Sequence, residues 1–436
     1  QRPGPRPYPE AEKRNPQIMT RGILIGGASA FLIVLIALAA GFWVLDQEGG
    51  PAAPPSPAIM PPPERSHPAP ENSHGLLYGR ITTITGAGYE GRLRFGRGEE
   101  AFWGDYFNGW KDENPWLAHV PPERLKVQRP VEVFGVRIGQ REREIDAGRP
   151  FMVRFGDIAR VEARGGDVQV NLKSGAVFNL DRFAASDFDD GVQVWDGSRG
   201  VVDLDSLEIR KIEFLPTPSL EAAPYRLHGK VTTPQGEFTG FIQWNREKCV
   251  GSDELDGLRF DAIRSIAGST SGRYLVTLLD DRQVALAGQN NRGIYVDDLR
   301  FGRVLVSRDA FRRVDFSPAG SGPAYGDYPA GRPLSGTVTT REGERLTGRL
   351  VYDLDESETT ETLDAPFQGV DYTIPFGLIE SITPTGVFLR NGEALQLDPS
   401  GDLGENNAGL LIFIGDNERP AYVPWSDVKI IEFDHR

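Results

Sequence analysis

"GKVTTPQGEFTGFIQW" (Gly229–Trp244) decides how the rest of the chain is read. Val231, Thr232 and Thr233 are the β-branched residues that fit a pleated strand, and Pro234–Gly236 fit a turn. The return half then alternates, with Phe238, Gly240, Ile242 and Trp244 on one side. A period of two means one face of an antiparallel hairpin is buried. Gly240 stands where that face should carry a side chain, so a bulge or a close backbone approach is expected there.

The phrase recurs as "GRITTITGAGYEGRLRF" (Gly79–Phe95) and as "GTVTTREGERLTGRLVY" (Gly336–Tyr352). Further phrases recur in the same order. "Phe-x-x-Ile-x-x-Val/Ile" begins at Phe155, Phe260 and Phe376, and its spacing predicts a 3₁₀ turn running into a strand. Hairpins follow in "VQVNLKSGAVFNL", "YLVTLLDDRQVAL" and "VFLRNGEALQL", with Ser174-Gly175, Asp280-Asp281 and Asn391-Gly392 as turn pairs. Each copy closes on Ile209-x-x-Ile212-x-Phe214, Phe311-x-x-Val314-x-Phe316 or Val428-x-x-Ile431-x-Phe433. The copies span 76–216, 224–318 and 333–434, joined by the Pro/Gly/Ala-rich stretches "PTPSLEAAP" and "SPAGSGPAYGDYPAGRP". The expected fold class is mainly β: three tandem β-barrel or sandwich (SH3-like) repeat domains behind a single N-terminal transmembrane helix.

That helix is read from "GILIGGASAFLIVLIALAAGFWVL" (Gly22–Leu45), an uncharged run between Arg21 and Asp46. Its 24 residues exceed the ~20 a bilayer needs, so it spans with some tilt. Arg21 and Trp43 mark its ends, Phe42 sits beside Trp43, and Gly26 belongs to a small-residue stretch of the kind that lets another helix approach but is more often simply the common composition of such helices. Ala37-Leu38-Ala39 has the small-x-small form of a cleavage site, but the apolar run continues past it and reads as an uncleaved anchor. Residues 1–21 carry five Arg/Lys against two Glu, and the next basic residue after Arg21 is Arg65. The positive-inside rule therefore expects a cytoplasmic N-terminal tail and a periplasmic body on a bacterial inner membrane, with the bilayer as one partner. Residues 46–75 read as a Pro-rich linker; nine prolines fall between Pro51 and Pro70.

The net charge of −14 becomes −17 once the +3 of residues 1–21 is set aside, which argues against nucleic acid as a partner. One cysteine, Cys249, excludes an internal disulfide or a thiolate cluster. Phosphate loops, His-Glu-x-x-His and Gly-x-Ser-x-Gly are absent, so the expectation is no enzyme, no catalytic residue, no metal and no cofactor. "DLDESETTETLD" (Asp353–Asp364) imitates the first positions of a calcium loop but carries Glu358 where glycine is needed, and reads as a solvated acidic loop.

The first copy has an insertion at 96–150 that contains "EEAFWGDYFNGWKDENPW" (Glu99–Trp116). Phe102, Trp103, Tyr106, Phe107, Trp110 and Trp116 lie in it among polar residues, a pattern read as a loop. Three roles compete: docking of a protein partner, a platform on which sugars stack, and internal packing as a satellite core.

This segment and the surrounding G-x-[IV]-T-T … G-x-[LI]-x-[FWY] repeats resemble a group of uncharacterised bacterial exported β-repeat proteins. One member serves as a structural subunit of a photosynthetic reaction-centre–light-harvesting complex. The resemblance covers most of the chain outside the apolar run. It implies a scaffold that braces pigment–protein rings, touches reaction-centre and antenna polypeptides, and holds no pigment itself. The alternative from the residues alone is a periplasmic cell-envelope binding module that recognises glycan or peptide through the insertion.

Overall fold

A computed structural model describes residues 73–434, except 97, 112, 123–125, 134–135, 145–148, 221–224, 269–272, 288–291, 319–321 and 416–418. The apolar run with Arg21, Gly26, Phe42 and Trp43, and the Pro-rich linker up to residue 72, lie outside the described residues. Among those described, no helix is long and apolar enough to cross a membrane. All of them fall within one compact unit, Ser66–Arg436.

The described chain is mainly β, built from antiparallel sheets with one short α-helix, Ser186–Asp189. Each copy of the repeat forms eight strands in one shared order. In the second copy this runs Gly302–Val306, Ile294–Asp298, Gly236–Trp244, His228–Thr233, Arg313–Phe316, Ile263–Gly268, Arg273–Leu278, Gln283–Ala287. The opening phrase is therefore the central hairpin, with its two strands neighboured by the closing strand and by Ile294–Asp298. The predicted 3₁₀ turns appear at Phe155–Asp157, Phe260–Ala262 and Phe376–Leu378, each leading into a strand. The outer hairpins turn at Gly175, Asp281 and Gly392, all with positive φ as such turns require.

The glycines inside the central hairpin are a matched set. Gly79 faces Gly91, Gly229 faces Gly240 and Gly336 faces Gly348 across the hairpin. A Cβ on Gly91, Gly240 or Gly348 would overlap the carbonyl oxygen of Trp195, Asp297 or Phe413 on the next strand. A Cβ on the facing glycines would overlap the carbonyl of Glu213, Asp315 or Glu432 on the other side. A close backbone approach, not a bulge, is what the glycine serves: strands on both flanks bend across the hairpin where no side chain intervenes.

The copies are not self-contained. The third copy's hairpin Thr362–Phe367/Val370–Pro375 leaves its own sheet and adds to the second copy's, where Val370–Thr373 pair with Arg303–Val306. Copies two and three consequently share one hydrophobic core, from Leu227 to Phe433. The first copy's core is separate and takes in Tyr328 from the stretch read as an inter-domain joint. Tyr328 packs against Gly156, where a Cβ would strike its ring, and Tyr325 donates its hydroxyl to the Ile158 carbonyl at 2.9 Å.

Candidate functional site: the insertion and its two buried charge clusters

The segment read as a loop contains a strand. Tyr106–Lys111 pairs along its length with Arg149–Arg154, and Lys111 also meets Leu180 of the first copy's outer hairpin. In Y-F-N-G-W-K the three aromatics favour a strand while Asn108 and Gly109 disfavour one, so local propensity is divided; pairing supplied by the tertiary fold decides it. Lys126–Val133 and Val136–Glu144 form a further hairpin beyond it.

The six aromatics separate into two groups. Phe102, Trp103, Tyr106 and Phe107 are buried, the least covered being Trp103 at 8% exposure. Phe107 meets Phe95 and Phe155 edge-on at 6.3 and 5.9 Å, and Phe102 lies 4.8 Å from the Tyr325 ring. These four are core residues, and internal packing is the alternative that describes them. Their apolar area is satisfied within the chain, which leaves no free ring face for a partner. Trp110 is 41% exposed. Trp116 is half-buried against Phe413 of the third copy at 6.0 Å, with the Arg349 guanidinium 5.2 Å from its ring. Leu117 and Val120 join it over Val351, Leu354 and Leu411 of the third copy. Of the six, only Trp110 and part of Trp116 are presented outward.

What the insertion does instead is hold charge. Asp105 is fully buried. Its carboxylate accepts from the Glu100 and Ala101 amides at 2.8 Å and from Gln243 Nε2 at 2.9 Å. Arg226 and Arg303, both from the second copy, lie 3.6 and 3.4 Å away. Arg303 also donates to the Gly104 carbonyl and, at 3.1 Å, to Asp297. Five groups thus converge on one carboxylate, and the three from copy two, Gln243, Arg226 and Arg303, lock the insertion to it. Burial pushes Asp297 up to about 6, although Arg303 works against it. Burial, with the Asp187 and Asp105 charges, pushes Glu99 up to about 8.

The second cluster joins the insertion to copy three. Lys111 Nζ donates to Asp355 Oδ1 at 2.9 Å and Glu361 Oε1 at 2.7 Å, all three being buried. Asn114 Nδ2 donates to the Leu354 carbonyl at 2.8 Å, and Arg149 lies 3.8 Å from Asp353. "DLDESETTETLD" is therefore not solvated over most of its length: Asp353, Asp355, Thr360, Glu361 and Thr362 are all buried. The sequence reading is corrected by a lysine 244 and 250 positions away, invisible to any local window. Burial alone would drive Lys111 to lose its proton, but Glu361 and Asp355 outweigh it and hold the ammonium above the ordinary lysine range. Burial raises Asp355 with Lys111 opposing, and raises Asp353 to about 6 with Arg149 opposing. Among the described residues, no group of acidic, histidine or cysteine side chains is arranged to hold a metal ion.

These raised carboxylates set a direction for pH. Each holds its proton in the folded state to a higher pH than in the unfolded chain, where a carboxyl titrates near ~4. The stability they contribute is complete below that value and is lost as pH rises through about 6 for Asp297 and Asp353 and about 8 for Glu99. The expected result is a urea midpoint that falls between pH 5 and pH 8, with the slope above pH 6 reduced by Glu99→Gln; burial also raises Glu356 and Asp402 well above the ordinary carboxylate range, and they supply the remainder. A midpoint that climbs across that range would contradict the assignment.

Arg149, Arg226, Gln243 and Arg303 were not distinguishable as site residues in the sequence. No signal in their own neighbourhoods marks them, because each acts on a residue from another copy. No family model, no curated protein and no solved structure matches this chain.

Proposed function

We propose that this chain is a non-enzymatic, membrane-anchored scaffold subunit that braces a multi-subunit membrane complex of the photosynthetic reaction-centre–light-harvesting type. The eight strands that each copy lays out in the shared order would close as a small SH3-like barrel, the glycine pairs permitting the tight coiling that closure demands. Its partners would be reaction-centre and antenna polypeptides and the bilayer, with the body in the periplasm. One observation carries the reading. The first copy's insertion, the most distinctive segment of the chain, is spent on fixing the three copies to one another through the Asp105 and Lys111 clusters. A body stiffened at that cost suits bracing, where shape and not reactivity is the product. The test is purification of the native membranes in mild detergent: the chain should run with its partners in fixed proportion. Migration alone, at the size of the single chain, overturns the proposal.

A second reading, an envelope module that binds glycan or peptide, is favoured by the outward Trp110 alone. Glycan-array binding by the parent chain that Trp110→Ala abolishes would support it over the scaffold.

A further inference from the structure

The three copies share a strand order but not a fate for the strand that ends it. In the second copy that strand, Gly302–Val306, is covered by the third copy's Val370–Pro375, in the register Arg303 to Thr373, Val304 to Tyr372, Leu305 to Asp371 and Val306 to Val370. Tyr372 then closes the end of the core, edge-on to Phe238 at 6.0 Å and to Phe301 at 6.1 Å. Phe238 and Val304 are fully buried as a result.

In the first copy the equivalent strand is Gly200–Leu204, which ends its sheet with nothing paired on its outer side among the described residues. Tyr89 takes the place of Phe238 and Val202 the place of Val304, yet both are only half-buried, and Val201 is 55% exposed. At the position of Phe301 stands exposed Arg199, its guanidinium 4.4 Å over the Tyr89 ring. No described strand of the chain pairs with this edge. The second copy's counterpart of the covering hairpin is reduced to Glu254–Leu255 and Leu258–Arg259, which pair only with each other. In the third copy the matching strand, Ala421–Val423, is shorter, follows Pro420, and has Trp116 and Leu117 of the insertion packed beside Tyr422.

We propose that Gly200–Leu204 is a docking edge for an antiparallel β-strand of a partner polypeptide, added as Val370–Pro375 is added to copy two. The chemistry of the occupant follows from the template. An aromatic residue faces Val202 and covers Tyr89, an aliphatic residue lies two positions on, and a carboxylate at the position of Pro375, which lies against Gly302 in copy two, comes to the equivalent Gly200 beside Arg199. Unpaired N–H and C=O groups of the edge supply affinity, and the two pockets and Arg199 supply selection. The proposal rests on the comparison of copies and holds for either reading of the function.

The test adds a synthetic peptide of the Thr362–Pro375 sequence to the full chain and follows amide hydrogen exchange. Exchange at Val201–Leu204 is expected to slow twofold or more at about 1 mM peptide, the weak end of measurable affinity. Asp203→Lys, at the exposed position that corresponds to Leu305 and so faces the peptide's Asp371, should deepen the slowing by pairing with that carboxylate while leaving the thermal midpoint unchanged. Three results overturn the proposal: no slowing at Val201–Leu204, a response confined to Arg303–Val306 because the peptide merely exchanges with the native hairpin, or slowing that grows with the chain's own concentration in the absence of peptide, which would make a second copy the occupant.

Discussion

Lys111→Met is expected to destabilise the chain by about 3–5 kcal/mol, the range for removing one partner of a buried ion pair. The methionine fills the space of the lysine stem, so little of the loss comes from packing. The cost lies in Asp355 and Glu361, buried within 2.9 and 2.7 Å of the lost ammonium and left without the cation that both contact. Burial already raises Asp355 against the pull of Lys111, so without the ammonium it holds its proton more firmly, and the loss should shrink as pH is lowered toward 5 and grow toward 8. Adding Asp355→Asn and Glu361→Gln to Lys111→Met should restore most of the stability, since an uncharged set of similar shape carries no desolvation penalty. Urea denaturation of the four variants at two pH values measures this. A single-variant loss below about 1 kcal/mol, the level of an exposed pair, would show that the cluster is hydrated and that the insertion is not anchored there. Hydrogen exchange should also place the first effect of Lys111→Met at the contact between Trp116–Val120 and Val351–Leu354, because that contact depends on the same attachment.

Gly240→Ala is expected to cost more than about 4 kcal/mol or to prevent folding, beyond the range of ordinary substitutions. The added methyl would occupy the position of the Asp297 carbonyl oxygen. Backbone cannot yield as a flexible side chain does, so the strand Ile294–Asp298 must move away from the central hairpin. Asp297 moves with it, and its pairing with Arg303 at 3.1 Å is disturbed, carrying the damage to the Asp105 cluster. Gly91→Ala and Gly348→Ala should behave alike, since the same overlap recurs with Trp195 and Phe413. Gly197→Ala is the control: a Cβ there meets nothing within 4 Å, and a change within about 0.5 kcal/mol is expected. Equal, small losses at Gly240 and Gly197 would mean that the strands do not cross closely.

Much of the β architecture was legible because it depends on neighbours in sequence. The alternation Phe238-Gly240-Ile242-Trp244 faces one way in a strand whatever surrounds it, and three of the four are side chains that close the core. The turn pairs Ser174-Gly175 and Asn391-Gly392 carry their own reason, a residue able to take positive φ. The site was less legible. Aromatic density in Glu99–Trp116 was visible, but the same six rings fit a surface or a core, and only the placement of Phe95, Phe155 and Tyr325 around them decides for the core.

By itself the sequence determined the threefold repeat, the strand and turn pattern within each copy, and the glycines that the hairpins require, because period and backbone conformation are properties of short segments. Only the tertiary structure decided that the insertion is a clamp, that an acidic stretch is buried, and that one copy lends a hairpin to another. The physical reason is that these depend on charges and strand edges meeting across some 250 residues, as Lys111 meets Glu361, and neither partner's local sequence records the other.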